Sequence, residues 1–380
     1  MKAAILIDAD KMVVDKVPDP EVPPREVLIR VQAVGVCGTD LHIFRGHGNW
    51  NFDANGRPIP LTVQPQILGH EFSGEIVEVG REVTDLRPGD RVLCDQGRNC
   101  HSRGRTPLCP YCASGDSHQC LYYGEHGITG LPGAMADAIA MPAVNCLQVP
   151  ESMPAAQAAL VEPLACITHA NDLLGRAPAR YTFDGDPRIR HVLIFGSGPA
   201  GLLFLQVLRN VRRFDGLVLV ADLREGNLKL AAELGGTPVN VSRQNLAAAV
   251  RELTRGERIH LAIDACGSAG VFEDLPSVLA KQGTLLLYGG GHHGRDLALL
   301  DAVLFLEPTF VIPIGGSGGF DPDRRPTTYR RALETMVAGK VRVAPFITHH
   351  YRGLGDIHHA LERDFTRADY IKGVVELSSE

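Results

Sequence analysis

Residues 191–201 read His191-Val192-Leu193-Ile194-Phe195-Gly196-Ser197-Gly198-Pro199-Ala200-Gly201, a short apolar run that breaks into G-x-G-x-x-G and continues as a helix-forming segment. Strand, glycine turn and helix in that order are the context in which this motif binds a dinucleotide. Gly196 permits the tight turn, Gly198 lets backbone N–H groups approach a pyrophosphate, and Gly201 lets helix and strand pack closely. Ser197, Pro199 and Ala200 complete the turn, and the helix N-terminus supplies the anion site. Asp222 ends the next apolar run, 26 residues after Gly196. A carboxylate at that place accepts hydrogen bonds from both adenosine ribose hydroxyls and repels a 2′-phosphate. The nucleotide expected is therefore NAD rather than NADP, with Arg224 placed to offset the repulsion or to stack on adenine.

Outward from this turn the chain alternates strands and helices. The pattern predicts strands His191–Phe195 and Leu217–Asp222, a short strand near Val239, and strands over 260–265 and 283–288, with helices over 199–209, 224–234 and 244–254. Such alternation requires a parallel sheet covered on both faces, because every crossover must carry the chain back to the same edge. Residues 1 to about 160 differ in texture, with short β-type runs over 26–34, 72–79 and 89–93 punctuated by Pro and Gly. Residues 175–190 have no apolar period and read as a surface loop. After Gly315 come a Gly/Pro/Asp loop, a helix over 328–339 and a closing strand near Val374 that returns to the first domain. The fold class is α/β, in two domains.

The length of 380 residues suits that organisation, and 44% hydrophobic with 22% charged residues excludes a disordered or fibrous chain. Thirty-eight Lys plus Arg against 44 Asp plus Glu leave a formal charge of −6 without long like-sign blocks, which argues against nucleic acid as a partner. The apolar run Ala3-Ala4-Ile5-Leu6-Ile7 stops at Asp8, short of a signal-peptide core, and no run approaches a membrane span. A cytoplasmic location is expected, with no membrane partner. Of nine cysteines, Cys100, Cys109, Cys112 and Cys120 crowd one hydrophilic loop, which in a reducing compartment points to metal ligation rather than disulfides. Cys146, Cys166 and Cys266 lie in apolar runs and read as inert core residues.

A second constellation lies in the β-rich half. Cys37-Gly38-Thr39-Asp40-Leu41-His42 ends a strand, and Gly69-His70-Glu71 follows about thirty residues later. Thiolate and imidazole brought together suit zinc, and Glu71 and Glu162 offer carboxylate oxygens. Glu162, in the stretch leading to the nucleotide domain, would place the metal at the interdomain cleft. With Gly69-His70-Glu71, Gly74, Gly80 and Val83 in register, the chain resembles the zinc-dependent medium-chain alcohol dehydrogenase family, in its polyol/sorbitol and threonine dehydrogenase-like branch. The resemblance continues through Gly89-Asp90-Arg91-Val92, the cysteine loop, the nucleotide turn and the return segment. It implies a GroES-like β catalytic domain over 1–163 and 316–380, and a Rossmann doubly wound parallel sheet over 164–315.

The resemblance further implies two Zn²⁺ per chain. The catalytic one would use Cys37, His70 and an acid, Glu71 or Glu162. The structural one would use Cys100 (preferred to Cys94), Cys109, Cys112 and Cys120, although eight residues separate Cys100 from Cys109 where the family usually has two. A loop insertion between ligands costs little closure entropy. Zinc with an open position acts as a Lewis acid on an alcohol oxygen, and by resemblance Thr39 passes the released proton toward His42, with Glu71 also counted among the catalytic residues. The activity implied is oxidation of a secondary alcohol (polyol, sugar, cyclitol or amino alcohol) to the ketone with NAD. Rival readings are an L-threonine 3-dehydrogenase-like enzyme, a zinc-free quinone or enoyl reductase, and a non-enzymatic zinc-ribbon redox sensor. Thr309-Phe310-Val311-Ile312-Pro313-Ile314 is an apolar β-type edge that by resemblance pairs with a second subunit, so a homodimer or homotetramer is expected.

Overall fold

The computed structural model describes residues 1–181, 188–290, 292, 297–316 and 318–377. The chain divides into two compact units, one of Met1–Ala165, Gly316–Val337 and Phe346–Glu380, the other of Cys166–Gly315 and Ala338–Pro345.

The second unit holds a six-stranded sheet, parallel throughout. Its strands are His191–Phe195, Leu217–Asp222, Thr237–Asn240, Ile259–Asp264, Leu279–Leu287 and Thr309–Val311. Taken in chain order they lie 3-2-1-4-5-6 across the sheet, the order of a dinucleotide-binding sheet. Val192 to Phe195 and Val218 to Asp222 are buried without alternation, because helices cover both faces. Leu193, Leu219, Ile259 and Leu285 are fully buried in one cluster with Leu275, each removing apolar surface worth about 1.5–3 kcal/mol from water.

Several expected elements change their bounds. The helix after the turn runs Pro199–Gln206 and continues with wider winding over Val207–Val211. The strand expected over 283–288 begins earlier, at Leu279, and takes in Lys281-Gln282-Gly283. It absorbs them with Gln282 at φ 58° and an irregular register between Ile259 and Leu261. The helix Val161–Arg176 runs into the loop expected over 175–190, of which 182–187 lie outside the described residues.

The first unit is mostly β. Strand Glu26–Val36 is its spine, antiparallel to Glu71–Val79, to Ala138–Pro142 and to Lys372–Glu376. The closing strand thereby places residue 372 next to the start of Glu71–Val79, a juxtaposition with no local signal. Ile29, Phe44, Phe72, Leu68 and Met135 form the centre of this unit's core. Among the described residues no helix is long and apolar enough to cross a membrane.

Candidate functional site

Strand Glu26–Val36 does not end at Cys37 in a loop. The chain turns at once into the short helix Gly38–Phe44, with Cys37 as its N-cap. This corrects the expectation that Thr39 and His42 lie at a strand end. They sit one turn apart on one helix face, both half-buried. The residue that organises the turn is Asp40, fully buried. Its Oδ2 accepts from the Cys37 N–H at 2.9 Å. Its Oδ1 accepts from the Gly69 N–H at 3.2 Å and lies 3.5 Å from His70 Nδ1. One carboxylate thus ties two distant segments together and turns the other imidazole nitrogen toward the cluster, the orienting role that outer carboxylates play at metal sites.

Ligand atoms of Cys37, His70 and Glu71 all lie within 4.8 Å of one another. Sulfur, nitrogen and oxygen at that spacing suit a zinc ion with room for a further ligand. Burial alone would lower the His70 pKa, yet the Asp40 carboxylate and the Cys37 thiolate hold it well above its ordinary value, which reports how strongly the cluster favours positive charge. Glu71 reaches the cluster only because Gly35 faces it across the sheet; a Cβ at residue 35 would collide with Glu71 Oε2. Lys372 Nζ lies 2.7 and 2.6 Å from the two Glu71 oxygens. Lys372 was not foreseen from the sequence, since it stands 301 residues from Glu71.

Glu162 is not brought into the Cys37–His70–Glu71 group. It sits buried in the first turn of Val161–Arg176, and its Oε1 accepts from Gln96 Nε2 at 3.0 Å. Gln96 also accepts from the Tyr329 hydroxyl. Glu71 is therefore ion-paired by a buried lysine, whereas Glu162 accepts a hydrogen bond from a buried amide.

Cys100, Cys109, Cys112 and Cys120 form the second group, all four buried. Sulfur separations are 3.7 Å for Cys100–Cys120 and 3.8 Å for Cys109–Cys120. A tetrahedron with Zn–S bonds of about 2.3 Å has S···S edges of about 3.8 Å, so the spacing fits a thiolate cage. Backbone N–H groups point at the sulfurs, from Cys109 to Cys100 at 3.4 Å and from Tyr122 to Cys120 at 3.3 Å. The Cys112 N–H beside Cys109 brings that thiol down to about 6. Cys94 stands apart, 3.5 Å from Cys146. All nine cysteines are free thiols. Cys146 is buried and Cys166 half-buried, but Cys266 is exposed, correcting its reading as a core residue. It follows the strand Ile259–Asp264 into the turn that leaves the sheet, where its Cβ would be 2.9 Å from a Cβ on Gly196.

In the second unit the glycine turn has the expected form. Gly196 adopts φ 98°, and a Cβ on Gly201 would collide with the Gly196 carbonyl. Asp222 Oδ2 accepts from the Ser197 N–H and hydroxyl, both at 2.7 Å, and from Arg224 Nη2 at 3.2 Å. Oδ1 accepts from the Arg224 N–H at 2.9 Å and from its Nε at 3.2 Å. Although burial works the other way, these donors hold the Asp222 carboxyl below its ordinary value. Gly198, Pro199 and Ala200 open the helix, with Gly198 as N-cap.

Residues 23–151 match the family model for the alcohol dehydrogenase GroES-like domain, and residues 199–337 that for zinc-binding dehydrogenases. An L-threonine 3-dehydrogenase of Chelativorans sp. (strain BNC1) is 32% identical over 296 residues, 74% of each chain. One of Shewanella putrefaciens is 28% identical over 93% of each chain. The crystal structure of galactitol-1-phosphate dehydrogenase from Escherichia coli is 25% identical with a TM-score of 0.78, over 99% of this chain and 100% of that one. The chain belongs to the zinc-dependent medium-chain alcohol dehydrogenase family and is an alcohol dehydrogenase.

Proposed function

We propose that this enzyme oxidises a secondary alcohol carrying further polar groups, of the polyol, sugar, cyclitol or amino-alcohol class, to the ketone with NAD, using one catalytic and one structural Zn²⁺ per chain. The observation that carries the reading is the convergence of Cys37, His70 and Glu71 within 4.8 Å. Cys37 and His70 with an acid, Glu71 or Glu162, would hold the catalytic ion; Cys100, Cys109, Cys112 and Cys120 would hold the other. When bound, the catalytic zinc supplies Lewis acidity that lowers the pKa of an alcohol oxygen. Lys372 is ion-paired with Glu71, so a metal that took Glu71 as a ligand would compete with that pair.

The chain's own groups handle the proton. The Thr39 hydroxyl can accept and donate, and His42 lies one turn along the same helix. His47 follows, its ring centroid 6.4 Å from that of His42, and it is exposed to solvent. A zinc-free reductase would leave the Cys37–His70–Glu71 group without a role, and a redox sensor would leave the nucleotide turn without one. The relatives' name, L-threonine 3-dehydrogenase, supports an amino alcohol as substrate.

NAD is favoured over NADP because Arg224 is spent on Asp222 rather than left for a 2′-phosphate. Steady-state kinetics with both nucleotides are expected to show kcat/KM at least about tenfold higher for NAD; equal values contradict the assignment. The nine free thiols support a reducing, cytoplasmic setting. Strand Thr309–Val311 lies at the sheet edge, and Ile312 and Ile314 beyond it are 70% and 67% exposed, which supports pairing with a second copy. Light scattering should give at least twice the 41.0 kDa of one chain; the mass of a single chain removes this proposal.

A further inference from the structure

Cys94 and Cys146 belong to neither metal group, and their sulfurs lie 3.5 Å apart. They face each other across two antiparallel strands, Arg91–Cys94 and Cys146–Gln148. The ladder bonds fix the kind of pair they make. The Asp95 N–H donates to the Asn145 carbonyl at 3.0 Å and the Val149 N–H to the Arg91 carbonyl at 2.8 Å, so 95 with 145 and 91 with 149 are hydrogen-bonded partners. Such partners alternate with non-hydrogen-bonded ones along an antiparallel ladder, which makes Cys94 and Cys146 a non-hydrogen-bonded pair. Its α-carbons stand about 4.5 Å apart, within the range of about 4.4–6.8 Å that a disulfide spans. The sulfurs need to approach by only about 1.5 Å to reach the bonded distance of about 2.05 Å.

In the reduced chain the Cys94 thiol donates to Cys146 Sγ, and the Cys146 thiol donates to the Pro142 carbonyl at 3.6 Å. Burial pushes the Cys94 thiol up, so the pair reacts more slowly than an exposed thiol does. Access comes from the sheet edge. Cys146–Gln148 is three residues long and is the outermost strand of its seven-stranded sheet, the kind of element that opens locally without global unfolding. What adjoins the pair gives a bond there a consequence. Asn145, next to Cys146, is fully buried, and its Nδ2 donates to the carbonyls of Asp95 and Gly97, both at 2.7 Å. Gln96 stands between those two residues and donates to Glu162. A bond between residues 94 and 146 therefore pulls on the segment that carries Gln96.

We propose that Cys94 and Cys146 are a modification site, which hydrogen peroxide closes to a cross-strand disulfide that displaces Gln96 and slows turnover reversibly. One sulfur attacks the peroxide and breaks its O–O bond, becoming a sulfenic acid as one water leaves. The second thiol then attacks that sulfur, the S–S bond forms, and its proton departs with the hydroxyl as a second water. Two thiols and one peroxide thus give one disulfide and two waters, with two electrons passing from sulfur to oxygen. Because the second sulfur is held against the first, this condensation outruns further oxidation. A dithiol reverses the step by thiol–disulfide exchange.

The test exposes the zinc-loaded enzyme to hydrogen peroxide, caps the remaining thiols with iodoacetamide and maps the peptides by mass spectrometry, with zinc content and turnover measured on the same samples. The expected result is a peptide pair joined through Cys94 and Cys146, with turnover about tenfold lower at unchanged zinc content. Dithiothreitol should restore turnover without added zinc, which separates this loss from oxidation of the metal-binding cysteines. Cys146→Ala should keep the basal turnover and show no loss at unchanged zinc; Cys94→Ala is the second variant should the first fail to fold. Absence of the joined peptide once the exposed Cys266 is fully oxidised overturns the proposal, as does an equal loss at unchanged zinc in either alanine variant. A joined peptide with undiminished turnover overturns its action on Gln96.

Discussion

Cys37→Ala is expected to lower turnover by about a thousandfold or more and to remove one zinc per chain, while the fold persists. A Lewis acid at an alcohol oxygen is worth several kcal/mol of barrier, and each 1.36 kcal/mol is about tenfold in rate. Cys37 is the sulfur donor in the three-residue group, and without it only nitrogen and oxygen donors remain, of which Glu71 is already paired with Lys372. The fold should tolerate the change. Cys37 is only partly buried, and the helix it caps is anchored by Asp40 through the Cys37 backbone N–H, which alanine retains. Turnover and elemental analysis on the same sample, with circular dichroism as the fold control, check this. Unchanged turnover with unchanged zinc counts against the assignment.

Cys112→Ser is expected to act on stability rather than chemistry. Four buried sulfurs at tetrahedral spacing have no open position for substrate. The loop they close has little else to hold it: its only partly buried apolar neighbour packed against the cluster is Tyr123 among the described residues. Structural zinc commonly contributes on the order of 10 kcal/mol to such a lobe, so losing one thiolate should unfold it locally. The expected result is one zinc fewer per chain, a clearly lower thermal midpoint and faster proteolysis within residues 97–125. A variant with wild-type zinc content and thermal midpoint contradicts a structural role for the site.

The parts of this protein legible in its sequence are those whose chemistry is local. The turn Gly196 to Gly201 states its own backbone demands, and a parallel sheet follows from the alternation of elements around it, while the strand order 3-2-1-4-5-6 comes from the structure. Cys109-x2-Cys112-x7-Cys120 likewise names three of its four members, and the irregular interval to Cys100 is absorbed by the loop between them. What sequence reading missed depends on contacts between distant residues. Lys372 meets Glu71 only because the closing strand pairs with Glu26–Val36, and Tyr329 meets Gln96 across 233 residues. Asp40 is a partial exception: it stands in the quoted Cys37 motif, but its role shows only once Gly69 and His70 arrive beside it. Glu162 was named beside Glu71 as an alternative acid for the metal; in the structure it accepts from Gln96, a contact that carries no sequence signal. Cys266 misleads because the residues before it are a strand, while the thiol itself lies past the strand end.

The most direct test follows zinc content and NAD reduction together while the wild-type enzyme is dialysed against a chelator. Two zinc ions per chain are expected at the start, and turnover should vanish as the more accessible ion leaves while the cysteine-bound one remains, then return when one equivalent of zinc is restored. Full turnover in a chain that retains only the cysteine-bound ion contradicts the catalytic role of the Cys37–His70 site.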